Sequence, residues 1–298
     1  MVDSKNIKDK NIIGVAPHEE KRKYLSAWKG PLWDGHIHLF PPKLFQAIYR
    51  FFREDYGWNL AFTDEHHLLI DYLKRCGVKR ASVLVYAHKP NISQDINRWL
   101  ADLVEVEPWL LPYGCIHPVD DNIKSIACEA LDELKFAGIK IHCLVKNVPP
   151  DDERFFPVYE ALVKRGKTAI IHASTFPLHT GVLGIEYIYN VLRHFPELRL
   201  VIPHLGLFEL KEYSILMADY PEIYLDTAFV FNNKILPDYY EDIKEIILKY
   251  PNRIIYGSDF PFVVNEPSID IRNLLSMELP SDIYPLIFYE NALKQSGI

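Results

Sequence analysis

The sequence predicts an α/β fold, a single (β/α)8 TIM barrel with an N-terminal arm, on three observations. Short β-rich apolar segments recur eight times, and amphipathic segments of helical period lie between most of them. No Gly-rich dinucleotide-binding loop follows the first strand. Strand–helix alternation indicates a parallel sheet with crossover helices, and eight such units in 298 residues fit a closed barrel. The alternative, a doubly wound open sheet, would usually carry that loop.

The elements follow one another along the chain in regular order. The predicted strands are Leu32–His38, Ala81–Ala87, Leu110–Ile116, Gly138–His142, Thr168–His172, Arg199–His204, Glu222–Asp226 and Arg253–Asp259. The predicted helices are Glu65–Cys76, Ser93–Val106, Asp121–Phe136, Arg154–Arg165, Ile185–Phe195, Phe208–Asp219 and Asp238–Tyr250. Residues 1–30 are predicted to form the arm, with one helix around His18–Trp28, and residues 31–298 the barrel. We expect Phe40–Asp64 to be a loop and Phe262–Asp282 to cap the barrel mouth.

Composition narrows the classes of partner. Apolar residues make up 49% and charged residues 24% of the chain, and the formal net charge is −7. An acidic chain without a basic stripe argues against nucleic acid or an anionic membrane as its main partner, and against a nuclease. No apolar stretch is long enough to span a bilayer. The amino terminus lacks the apolar core of a signal peptide, so we expect a cytoplasmic protein with a small-molecule substrate. A homo-oligomer stays open.

Histidines concentrate where a barrel places its active site. Seven of the 12 fall at or just past the carboxyl end of a predicted strand: His36, His38, His88, His117, His142, His172 and His204. Barrel active sites are built at that end, from residues on several strands. Side chains alternate along a strand, so His36 and His38 are expected on one face, with Asp34 beside them.

One subset of these residues suits a metal ion. The first strand supplies His36 and His38, the fifth His172, the sixth His204 and the eighth Asp259. Imidazoles with one carboxylate form a suitable site for zinc or another divalent ion and leave room for a water molecule. The pattern therefore predicts a catalytic metal centre.

At this point the sequence resembles the amidohydrolase superfamily, in particular the amidohydrolase-2 branch of metal-dependent hydrolases and aminocarboxymuconate-semialdehyde decarboxylase-like enzymes. The matching motifs span residues 31 to about 262: Asp-Gly-His-Ile-His (34–38), Gly-Ile-Lys-Ile-His (138–142), Asp-Asp (151–152) before Phe-Pro-Val-Tyr-Glu (156–160), Ile-Ile-His-Ala (170–173), Pro-His-Leu-Gly (203–206), Tyr-Leu-Asp-Thr (224–227) and Tyr-Gly-Ser-Asp-Phe-Pro (256–261). Each motif alone is weak, but their order and spacing are specific.

The resemblance implies roles for the strand-end residues. The expected metal ligands are His36, His38, His172 and Asp259. His204 would assist catalysis beside the metal or ligate a second one, and Asp259 would also accept a proton. One divalent ion is expected, with zinc favoured.

Lys140 and His142, on the fourth strand, are expected to bind substrate or to bridge metals. In binuclear relatives a carboxylated lysine on this strand bridges two ions, so a second metal would follow if Lys140 were carboxylated. A substrate or electrostatic contact and a structural ion pair are the other interpretations of Lys140. Asp226, at the end of the seventh strand, is expected to have a structural or rim role.

The expected function is a metal-dependent hydrolase that acts through a metal-activated water on a small amide, ester or lactone. The alternative is a non-oxidative decarboxylase (carboxy-lyase) of an aromatic or unsaturated carboxylic acid, and a non-catalytic ligand-binding barrel is the alternative from another class. Cationic side chains near the strand ends favour a carboxylate-bearing, anionic substrate. They are His88, Lys89, His117, Lys140, His142, Lys146 and His179.

Overall fold

The computed structural model describes residues 27–55, 57–58, 60–63, 65–175, 181–231, 236–263 and 265–298. Its strands are β1 (Leu32–Ile37), β2 (Val78–Leu84), β3 (Leu110–Cys115), β4 (Gly138–His142), β5 (Thr168–His172), β6 (Arg199–Ile202), β7 (Ile223–Asp226) and β8 (Ile254–Ile255). They pair in parallel in the order β1 to β8. Most of the predicted arm, including most of its helix, lies outside the described residues.

Hydrogen bonds between β1 and the segment that follows β8 close the sheet. The amide of Gly35 donates to the carbonyl of Tyr256 at 2.8 Å, and the amide of His38 donates to that of Phe260 at 2.7 Å. The predicted (β/α)8 barrel is therefore confirmed. β8 is much shorter than predicted, because Gly257–Asp259 continue as irregular backbone.

All seven predicted helices form, together with others that the sequence analysis did not assign. The helices are α1 (Pro42–Asp55), α2 (His66–Arg75), α3 (Ser93–Val106), α4 (Ile123–Cys128), α5 (Cys143–Lys146), α6 (Phe156–Arg165), α7 (Ile185–His194), α8 (Leu210–Asp219), α9 (Leu236–Lys249), α10 (Pro267–Leu275), α11 (Ile283–Pro285) and α12 (Asn291–Ser296). The predicted loop over Phe40–Asp64 is wrong where α1 forms, because Phe45 and Ile48 lie one turn apart and are both buried. None of the described helices is long and apolar enough to cross a membrane.

The carboxy-terminal helices close one end of the barrel. Tyr289 and Ala292 pack against the barrel interior, where the side chain of Trp33 lies. Gln295 on α12 accepts a hydrogen bond from Tyr113 and donates one to Thr168, the first residue of β5. This packing fills the amino ends of the strands, so the carboxyl ends are left for a site.

The segment predicted to cap the barrel mouth behaves differently along its length. Phe262 lies over His38, with ring centroids 5.3 Å apart. In contrast, α10 packs beside α2 on the outer side of β1, where Ile271 and Tyr72 line one cavity with Asp34. Only the first part of the segment therefore borders the mouth.

Candidate metal centre

Three predicted ligands converge at the carboxyl end of the barrel. His36 Nε2 lies 3.2 Å from His38 Nε2. Asp259 Oδ1 lies 3.1 Å from His38 Nε2 and 3.4 Å from His36 Nε2. Both imidazoles are buried, whereas Asp259 keeps 17% of its side-chain surface exposed. Among the described residues, these three form the group of donor atoms that could hold one metal ion.

A break in the regular alternation of β1 sets which side chains face the site. Trp33 packs into the barrel interior, and the pairing register with β2 shifts between Asp34 and Ile37. His36 and His38 therefore both point into the barrel, as a bulge allows. Asp34 does not join them, which corrects the sequence expectation. It lines the cavity outside β1 and accepts hydrogen bonds from the amide and hydroxyl of Ser258.

The hydrogen-bond partners of both imidazoles fix where their protons lie. His36 Nδ1 is 2.8 Å from Asp226 Oδ2, and His38 Nδ1 is 2.6 Å from the carbonyl oxygen of Leu84. A carboxylate and a carbonyl only accept, so both Nδ1 atoms carry the proton. Both Nε2 atoms and the Asp259 oxygen then turn lone pairs toward one point. A bound cation resolves this clustering of lone pairs, so the donor set fits a metal ion.

The spacing of the donors also fits. Four donors held about 2.0–2.1 Å from a zinc ion in a tetrahedron lie about 3.3 Å from one another. The three observed separations run from 3.1 to 3.4 Å. These side chains can thus ligate a divalent ion with little rearrangement.

Six aromatic side chains form a closed circle around this end of the barrel, which we call the strand-end ring. Centroids of neighbouring members lie 4.4–5.6 Å apart. In order, the members are His36, His204, His172, His142, Tyr86 and His38. The expected convergence of strand-end histidines is observed for five of the seven, whereas His88 and His117 lie outside the ring.

His172, the fourth predicted ligand, meets the cluster through His204. His172 Nδ1 lies 3.2 Å from His204 Nε2. His204 Nδ1 donates to the carbonyl of Ala228 at 2.8 Å, so its Nε2 carries a lone pair. The ring of His172 also stacks on that of His142, its register partner in β4. Ligation by His172 therefore stays a prediction.

The predicted roles of the two residues give different expectations. His172→Ala is expected to weaken divalent metal binding, because it removes a predicted ligand. His204→Asn should retain more of the bound metal. Calorimetric titration of chelator-treated protein with Zn²⁺ measures both. Equal losses of affinity would make His204 a ligand as well.

Lys140 lies inside the barrel on β4, completely buried. Its Nζ has no hydrogen-bond partner among the described residues, which argues against a structural ion pair. Burial lowers the pKa of Lys140 to about 8, although the charges of Asp226 and Asp259 oppose this shift. A buried ammonium without a partner is costly to maintain, so a role for its charge is expected.

Burial sets the charge states around the donors. It lowers the pKa of His36, His142 and His204, so these imidazoles are neutral at pH 7. The pKa of Asp259 lies below its usual value, although burial of the carboxylate raises it. Neutral imidazoles and an ionised carboxylate are the forms that bind metal.

Two residues at the site were not predicted to act there. Asp226, expected to be structural or at the rim, contacts the His36 ring directly. Burial raises its pKa, an effect that the Lys140 charge and two backbone amides counteract. Tyr86 lies two residues past β2 and belongs to the strand-end ring. The strand-end rule that selected the histidines applies equally to this phenol.

Aromatic side chains border the donors on one side and form what we call the aromatic wall. Phe40 and Phe262 face the ring of His38, at centroid distances of 6.1 and 5.3 Å. Phe52 contacts Phe262 at 5.3 Å, and Trp58 stacks on Phe52 at 5.5 Å. The donors therefore lie beside buried aromatic side chains, in surroundings of low polarity.

Comparison with solved structures relates the chain to several barrels of low identity. A 5-carboxyvanillate decarboxylase from Novosphingobium aromaticivorans, solved with manganese, matches with a TM-score of 0.67 at 16% identity, covering 95% of this chain and 99% of that one. A 2,6-dihydroxybenzoate decarboxylase from Rhizobium matches at 0.65 and 13%, covering 90% and 98%. A proposed amidohydrolase from Staphylococcus aureus matches at 0.66 and 14%, covering 90% and 99%. At such identities these matches support the fold.

Comparison of the sequence itself is more specific. A search of curated proteins finds no match. The model of the amidohydrolase family Amidohydro_2 matches residues 33–295, a range that includes every residue of the strand-end ring. The motifs, the barrel and this match agree, and the chain belongs to the Amidohydro_2 family of amidohydrolases.

Proposed function

We propose that the protein is a metal-dependent, non-oxidative carboxy-lyase that acts on a planar aromatic or unsaturated carboxylic acid. The observation that carries this proposal is the aromatic wall beside the donors, with Phe40 and Phe262 facing His38. A carboxylate loses its localised charge as it becomes CO₂, so surroundings of low polarity favour this step over its reverse. Two of the structural relatives are decarboxylases, which is consistent with the proposal.

Decarboxylation breaks one carbon–carbon bond. The electron pair stays on the substrate carbon, CO₂ leaves, and that carbon takes a proton. We assign Asp259 to relay this proton from solvent to the carbon, since it is partly exposed and lies among the donors. His204 would assist by orienting the substrate beside His172. Lys140 would stabilise the bound anion through its positive charge, since its Nζ has no hydrogen-bond partner among the described residues.

His36, His38 and Asp259, with His172 as the fourth predicted ligand, would hold the metal. When bound, a divalent ion supplies positive charge that attracts the oxygens of the substrate. Zinc is our proposal because imidazoles dominate the donor set. Elemental analysis of protein purified without chelators identifies the ion.

Release of CO₂ from a panel of hydroxybenzoates and unsaturated carboxylic acids tests the reaction. The expected result is metal-dependent CO₂ release with one proton consumed for each product. The same panel should include lactones and small amides in ¹⁸O-labelled water. Turnover of those compounds with ¹⁸O incorporation, and no CO₂ from any acid, would overturn the proposal.

Hydrolysis of a carboxylate-bearing amide, ester or lactone is the second candidate. The lowered pKa of Asp259 favours it, because the ionised carboxylate can accept a proton from water. The family match supports an enzyme over a non-catalytic barrel and does not distinguish the two reactions. The isotope experiment separates them.

Lys140→Met is expected to lower kcat/KM for an anionic substrate, because the variant lacks the positive charge that would stabilise the anion. The expected loss is at least about tenfold, which corresponds to about 1.4 kcal/mol of charge stabilisation. Metal content should not change. Lys146→Met is the matched control, since Lys146 is also buried and its Nζ also lacks a partner among the described residues. An equal loss in both variants would point to a general field effect and not to a contact with Lys140.

The same substitution has a stability signature. Because burial lowers the pKa of Lys140 from 10.5 to about 8, the unfolded state binds its proton more tightly. Stability should therefore rise as pH increases from 8 toward 10.5, and this rise should shrink in Lys140→Met. Thermal unfolding at several pH values measures it, and identical pH profiles would show that Lys140 is not buried as a cation.

A further inference from the structure

Asp226, the last residue of β7, uses both carboxylate oxygens inside the barrel and is 1% exposed. Oδ2 lies 2.8 Å from His36 Nδ1. Oδ1 accepts hydrogen bonds from the backbone amides of His204, at 3.1 Å, and Ala228, at 3.0 Å. One carboxylate thus connects a predicted ligand on β1 with the backbone of the catalytic candidate after β6.

We propose that Asp226 is a positioning residue that fixes the proton of His36 on Nδ1, so that the Nε2 lone pair is directed at the metal. The neutral imidazole has two tautomers, and the hydrogen bond at one nitrogen decides which is present. Asp226 offers only an acceptor at 2.8 Å from Nδ1, which selects one of them. The inference rests on the proposed metal centre and not on the substrate.

The second oxygen makes the carboxylate hard to replace. Two backbone amides point at Oδ1, and His204 has a left-handed backbone conformation with φ 61°. An asparagine at this position keeps both amide bonds only when its carbonyl takes the place of Oδ1. Its NH₂ group then faces His36 Nδ1 as a donor. The imidazole can accept that bond only by moving its own proton to Nε2, where it blocks the metal.

The test measures the tautomer and the metal affinity separately. In wild-type protein loaded with Zn²⁺, ¹⁵N–¹H correlation spectra of labelled histidines should show His36 protonated on Nδ1. Calorimetry of chelator-treated Asp226→Asn should show Zn²⁺ affinity reduced about 10- to 100-fold, the range found when partners of ligating histidines are removed. Asp270→Asn is the control, because Asp270 is also a buried aspartate and does not belong to the strand-end ring. Its affinity should equal that of wild type.

Two results would overturn the inference. One is a His36 proton on Nε2 in the loaded wild-type protein, and the other is wild-type affinity in a folded Asp226→Asn. If that variant does not fold, the wild-type spectrum alone decides. Neither measurement uses a substrate, so a protein that binds Zn²⁺ through His36 Nε2 but turns over no carboxylic acid would keep this inference and lose the proposed function.

Discussion

Replacing Asp259 by asparagine is expected to lower kcat/KM by about 10²- to 10⁴-fold, the range over which a positioned acid or base contributes to catalysis. Its carboxylate lies 3.1 Å from His38 Nε2 and 3.4 Å from His36 Nε2, and its pKa is below the usual value. The amide can neither carry a proton as the carboxylate does nor supply its charge. Steady-state kinetics of the purified variant measure the loss.

Metal content must be measured on the same samples. The NH₂ group of an asparagine can donate to the lone pairs of His36 or His38 and so compete with the ion. The variant should therefore be assayed at saturating Zn²⁺ with its occupancy determined. The Asp270→Asn variant, whose substitution lies outside the strand-end ring, provides the control. Near wild-type turnover in fully loaded Asp259→Asn would remove Asp259 from the mechanism.

The strand-end rule accounts for most of what could be predicted of this site. Parallel strands in a barrel bring their carboxyl ends together, so His36, His142, His172 and His204 could be expected to converge from spacing alone. The structure places all four in one ring. Family motifs then supplied which residues are expected to ligate, an assignment that spacing does not give.

Local backbone geometry explains what could not be predicted. Strict alternation placed Asp34 beside His36, but the register shift in β1 turns Asp34 outward. Gly35 lies within this shift, and a glycine inside a strand is a signal of a bulge or a close backbone approach that strict alternation overlooks. Asp259, with φ 65°, follows a β8 of only two residues, and it reaches the donors because Asp259 N bonds to His36 O at 2.9 Å. Such long-range contacts exist only in the closed barrel.

Residues that position a ligand were harder to assign from the sequence than the predicted ligands themselves. Asp226 ends a strand as the histidines do, but its function depends on facing the Nδ1 atom of an imidazole on β1, at 2.8 Å. Sequence separation hides that pair, since the two residues lie 190 positions apart. The same holds for the aromatic wall, where Phe40 and Phe262 meet only across the closed mouth.

Removal of the metal is expected to abolish turnover and to destabilise the fold. Three lone pairs, from His36, His38 and Asp259, converge at 3.1–3.4 Å, and without a cation they repel one another. An ion present at 1,000 times its Kd stabilises the folded state by about 4 kcal/mol. Chelator-treated protein should thus unfold at a lower temperature.

Titration with Zn²⁺ should restore both activity and thermal stability, with a plateau near one equivalent per chain. Mn²⁺ provides the comparison, because imidazole-rich donors are expected to bind Zn²⁺ more tightly. A requirement for two equivalents would instead favour a carboxylated Lys140 that bridges two ions, since its Nζ lies buried without a partner among the described residues. Full activity in protein shown to be metal-free would contradict the metal centre itself, because the convergent lone pairs would then need another explanation, such as a proton shared between His36 and His38.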